Sequence, residues 1–159
     1  MICIELAVTG YLFQYLTAVY GKGYQATHKD ALGIVILSVL EGKKSIYYEF
    51  SKKKEGDCIF PIKLSLSFFE KYGCHISDHY LCMIQKYADD EFRRHLFHSA
   101  LINRQYFQIP YKTTIDRMLA AYGISEDELS YSTIRKAFNR KKTALSQRLI
   151  FKNTAEPYV

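Results

Sequence analysis

The chain has 159 residues, 48% of them apolar, with 22 Lys and Arg against 16 Asp and Glu for a formal charge of +6. That apolar share excludes a disordered chain, and the length suits one domain with a packed core. The longest uncharged apolar run, Ala31 to Leu40, is well short of the roughly 20 residues that a membrane-spanning helix needs.

Taken in chain order, the first stretch is apolar but carries Glu5 early and no basic region, so it does not read as a secretory signal. Tyr11, Leu12, Tyr15, Leu16 and Val19 recur at three- and four-residue spacing, which predicts a helix stopped by Gly21-Lys22-Gly23. Thr27 with Asp30 resembles a capping box before Ala31–Leu40 and favours a helix there, although Ile34, Val35, Ile36 and Val39 would suit a strand. Gly42 ends that element. Ser45–Phe50 and Cys58–Leu66 read as two strands of an antiparallel hairpin, with Lys52, Lys53, Lys54 and Gly56 at its tip.

The second half reads as helical. Leu81, Ile84, Ala88, Phe92 and Leu96 form a stripe in a helix expected from Ser77 or Asp78 to about Asn103. Pro110 breaks the chain, and Thr113 or Thr114 is expected to cap a helix that Gly123 ends. Ser125 to Glu128 spells another capping box. A last helix from Tyr131 to about Ser146 carries Ile134, Ala137, Phe138, Ala144 and Leu145 as its apolar stripe. The expectation is a mainly helical α+β chain, a single domain over residues 1–153. A mixed helix and strand part spans 1–70, a helical part 77–150, and a loose tail 154–159.

Charge is unevenly placed. Residues 1–50 are balanced, whereas Tyr131–Asn153 holds Arg135, Lys136, Arg140, Lys141, Lys142, Arg148 and Lys152 with no acid. A short helix, a glycine turn and a basic helix make a helix-turn-helix-like layout, whose second helix enters the major groove. Arg135, Asn139 and Lys142 share one face, Lys136 and Arg140 adjoin it, and Arg and Asn suit guanine and adenine edges. Two positions depart from the common pattern. Leu119 stands where a small residue is expected, and Ser132 where a buried apolar one is. A solvated surface helix is the bland alternative, but seven bases without an acid exceed what solubility requires.

Other chemistry is thinner. Cys74, His75, His79 and Cys82 offer zinc-type ligands, with 75, 79 and 82 on one helix face, yet they lack a separated Cys-x2-Cys pair. Asp89, Asp90 and Glu91 could hold a divalent ion, but the better reading is that they offset Arg93 and Arg94. Arg94, His95, His98, Arg104 and Tyr106 match the residue types of a tyrosine recombinase site, at the wrong spacing and in too short a chain. Tyr47, Tyr48 and Phe50 could stack on single-stranded bases, though strand packing is their commoner role. No phosphate-binding glycine loop or hydrolase motif is present.

Gly10-Tyr11-Leu12 with Tyr15, His28 to Gly33, and Tyr122 to Leu129 leading into Ile134-Arg135-Lys136 and Asn139-Arg140 are scattered over most of the chain. In these pieces it resembles a group of small proteins of prophages and mobile elements in Bacteroides-type bacteria. The resemblance implies a mobile-element context and a DNA-related role, and it supplies no catalytic residues. The expected function is therefore non-enzymatic DNA binding in the cytoplasm, with no cofactor and no membrane contact. Arg135, Lys136, Asn139, Arg140, Lys141, Lys142 and Arg148 would make the contacts. The alternative is a mobile-element assembly module whose basic helix meets an acidic protein.

Overall fold

Ile4, Leu6 and Val8 are buried while Cys3, Glu5 and Ala7 are exposed, and that alternation makes the first element a strand, β1 (Ile2–Val8). The structure, a computed structural model, describes residues 2–42 and 56–154, with side chains to Gln147. β1 pairs antiparallel with β2 (Cys58–Leu64), from Ile2 opposite Leu64 to Val8 opposite Cys58. Phe60, Ile62 and Leu64 turn inward from β2, and Ile59 faces out. On the other edge of β2, the Lys63 N–H donates to the Tyr24 carbonyl at 2.9 Å and the Ala26 N–H to the Lys63 carbonyl at 3.0 Å. The expected hairpin partner Ser45–Phe50, with Lys52, Lys53 and Lys54, lies outside the described residues. So do Tyr47 and Tyr48. Leu66 does not extend β2; it starts a helix and is exposed.

The other described elements are helices, which makes a mainly helical α+β fold. α1 (Gly10–Tyr20) buries Tyr11, Leu12, Tyr15 and Leu16 and stops at Gly21, whose φ of 81° suits a residue without a Cβ. The apolar run is α2 (Ala31–Leu40), helix rather than strand, because Asp30 caps it: its carboxylate accepts the Gly33 N–H at 2.8 Å. The same oxygen accepts the Tyr24 hydroxyl at 2.6 Å, and Thr27 donates to the other oxygen at 3.3 Å. A Cβ on Gly33 would collide with the Thr27 carbonyl oxygen, so only glycine lets α2 lie on that turn. Asp30→Ala would remove the cap and strand a buried tyrosine hydroxyl at once. A loss of about 2–3 kcal/mol in chemical denaturation is expected, with Asp30→Asn retaining most of it.

A short α3 (Leu66–Tyr72), capped by Ser65, leads to α4 (Asp78–Phe107), which begins after Ser77 as expected and runs one turn past Asn103. α5 (Tyr111–Tyr122) starts directly after Pro110. Thr113 and Thr114 are therefore inside the helix and not its cap, since proline is already tolerated at a helix start. Thr114 is buried and accepts from Asn103 at 3.2 Å. α6 (Tyr131–Thr154) completes the order. Phe92 joins the layers, with ring centres 5.7 Å from Tyr11, 5.0 Å from Tyr15 and 6.3 Å from Tyr122. One buried cluster includes residues of both strands and of α1, α2, α4, α5 and α6. No described helix is long and apolar enough to cross a membrane.

Candidate nucleic-acid interface

The start of α6 is anchored, and the helix is exposed beyond Phe138 as far as Gln147. Ile134 and Phe138 are buried, and the Phe138 ring lies 4.9 Å from Phe97 of α4 and 4.7 Å from Tyr111 of α5. From Asn139 to Gln147 every residue is exposed. The stripe expected to run on through Ala144 and Leu145 does not pack, because Lys141 occupies the row between Phe138 and Leu145. A charged ammonium there resists dehydration. Its stem reaches back instead, with Nζ 5.9 Å from the Phe97 ring centre, and it borders an open cleft of about 330 Å³. Tyr87, Asp90, Glu91 and Arg94 form the opposite wall.

The sequence-derived contact residues thus fall in three places. Arg135, Lys136, Asn139 and Arg140 are exposed on the helix. Lys142 lies 5.4 Å from the ring centre of Tyr111, and Lys141 turns toward α4. Arg148 is on the helix, its side chain outside the described residues. Among the described residues no carboxylate makes an ion pair with Arg135, Lys136, Arg140, Lys141 or Lys142.

The link Gly123–Ser130 between α5 and α6 is about twice the three- to four-residue turn of a helix-turn-helix. It is a packed segment: Ile124 and Leu129 are buried, and the Glu128 carboxylate accepts the Ser125 N–H at 3.0 Å. The other Glu128 oxygen lies beside Gly10 at the start of α1. An acid there suits the positive end of the helix.

Two carboxylates of α4, Asp89 and Glu91, have structural partners, and Asp90 borders the open cleft. Asp89 accepts from Arg93 at 3.1 Å and from the Tyr11 hydroxyl at 2.8 Å, and Glu91 pairs with Arg94. Burial opposes the charge of Arg93, but Asp89 outweighs it and raises its pKa. Cys74, His75, His79 and Cys82 do not form a ligand set; among the described residues no group of three or more His, Cys, Asp or Glu is placed to hold a metal ion. The recombinase-type residues do not converge either, since His95 turns to Tyr15 while Tyr106 is exposed.

Helical periodicity does not reveal that last contact, which crosses from α1 to α4. The hydroxyl of fully buried Tyr15 lies 2.8 Å from His95 Nδ1, and His95 Nε2 lies 3.2 Å from Glu91. A neutral imidazole with its proton on Nε2 satisfies both partners. Burial first, then the Arg94 charge, holds His95 below the usual imidazole value. Glu91 pulls the other way but is shared with Arg94. The folded protein therefore binds fewer protons here than the unfolded chain, whose value is about 6.5. Stability present above that value is lost as pH falls through it toward the folded value. A urea midpoint that declines as pH falls below about 6.5, and declines less in His95→Gln, is expected. Equal slopes would remove His95 as the source.

Comparison with known proteins finds no matching family model, no matching curated protein and no matching solved structure.

Proposed function

We propose that this chain is a non-enzymatic DNA-binding protein that lays α6 on duplex DNA, in the mobile-element setting that the sequence resemblance implies. One observation carries the reading: every residue of α6 from Asn139 to Gln147 is exposed, and Arg135, Lys136 and Arg140 have no ion-pair partner among the described residues. A major groove about 12 Å wide admits an α-helix, and an exposed basic face such as that of α6 is what this docking requires. The long α5–α6 link argues for a projecting helix rather than a tight two-helix reader. Arg135, Lys136 and Arg140 would meet phosphates, and Asn139, between them, would be placed toward base edges.

The test is a salt titration of binding to a blunt DNA duplex. Release of condensed counterions should give a log–log slope of roughly −3 to −4 if Arg135, Lys136, Arg140 and Lys142 neutralise phosphates. Absence of any retention at about 50 mM salt would remove the proposal. Binding to an acidic polypeptide but not to DNA would move the assignment to an assembly module.

A further inference from the structure

The far end of α4 presents an aromatic corner unlike the rest of the surface. Tyr106 is 70% exposed and Phe107 66%, with Ile102, one helical turn before Tyr106, also exposed. Isolated apolar side chains on a surface need no explanation, but three at one helix end form a patch. The corner is held in place. Gln108 caps the helix in the left-handed region, with a φ of 58°, and its N–H and that of Ile109 both turn to the Asn103 carbonyl. Arg104 donates to the Gln108 carbonyl at 3.4 Å, and Gln108 Nε2 to the Gln105 carbonyl at the same distance. Pro110 then fixes the exit into α5.

Charge narrows what this patch can meet. No acidic residue occurs from Phe92 to Ile115, while Arg104 stands in the last turn of α4. Beyond Pro110, the first residue of α5, Tyr111, packs on Phe138 and lies under the Lys142 ammonium. Exposed rings beside Arg104, in a tract without a carboxylate, fit a polyanion that carries planar groups. An apolar protein partner would use the rings but not the cation.

We infer that Tyr106 and Phe107 form a stacking site for unpaired nucleic-acid bases, with Arg104 taking a flanking phosphate. The inference rests on the DNA-binding reading and deepens it: the ligand is DNA that presents a single-stranded segment beside the duplex on α6. Stacking on an aromatic face is tolerant of base identity, because every base offers a π-surface. Little base preference is therefore expected at this corner.

Fluorescence anisotropy with two probes tests it, a thymidine homo-oligomer of about 15 nucleotides and a blunt duplex of equal length. Both rings are exposed, so Tyr106→Ala/Phe107→Ala leaves the core intact. Its affinity for the homo-oligomer should fall about tenfold or more, and its affinity for the duplex should stay within about twofold. Tyr106→Phe, which keeps the ring, should bind as the unaltered protein does. An unchanged homo-oligomer affinity, or an equal fall on both probes, would overturn the stacking site while leaving α6 on the duplex. So would a dimer of the unaltered protein that the double variant turns into a monomer. Failure of the unaltered protein to bind either probe would overturn the DNA reading as well.

Discussion

A Lys136→Glu/Arg140→Glu protein should bind duplex DNA about 100-fold more weakly than the unaltered chain, with its salt slope reduced by about two. The two positions lie one helical turn apart and exposed, with neither an ion pair nor a packing partner among the described residues. Their replacement therefore costs the fold little, and the change reports on the charge of this face of α6. Lys141 is the contrasting position. Its ammonium faces Phe97 and the cleft of α4, so Lys141→Glu should weaken binding far less than Arg140→Glu. Equal effects at 140 and 141 would mean that binding responds to net charge and not to one face of α6. An unchanged far-ultraviolet spectrum in each variant separates lost contact from lost helix.

Phe92→Ala should lower stability by about 3–5 kcal/mol, a large part of the roughly 5–15 kcal/mol that a domain possesses. Phe92 is fully buried where α1, α4 and α5 meet, against Tyr11, Tyr15 and Tyr122. Truncation leaves a void bordered by three rings whose positions are fixed elsewhere. Tyr11 is tied to Asp89 and Tyr15 to His95, so the site cannot collapse to fill the space. Thermal denaturation should show a midpoint lower by about 10 °C, with Phe92→Leu recovering about half of the loss. A loss below about 1 kcal/mol would show that these helices are held together elsewhere.

Helices with a clean stripe and a nearby stop were legible from the residues. α1, α2 and α4 follow their apolar spacing, and Gly21, Gly42 and Gly123 all take the positive φ that a stop requires. β1 was not legible as such. Ile4, Leu6 and Val8 alternate plainly, but a short apolar run beside a helix pattern can be assigned several ways. Its partner β2 lies more than fifty positions on, and register over that distance is set by packing, which no local window contains. At the candidate interface the charge of α6 was legible, and its detachment was not. Leu145 continues the spacing of Ile134 and Phe138, but Lys141 interrupts the row and Leu145 stays exposed. The ring corner at Tyr106 left a trace only in the acid-free tract from Phe92 to Ile115.

The pairing of β1 with β2 also orders events during synthesis. β1 leaves the ribosome well before Cys58–Leu64 exists, and at about 5–20 residues per second it waits several seconds with a hydrogen-bonding edge and three apolar side chains uncovered. α1 and α2 can form locally in that interval, but the sheet that seats them cannot. Closure is thus a late, non-local step, and contacts of that kind slow folding. Until then β1 is open to chaperone capture or to pairing with a neighbouring molecule.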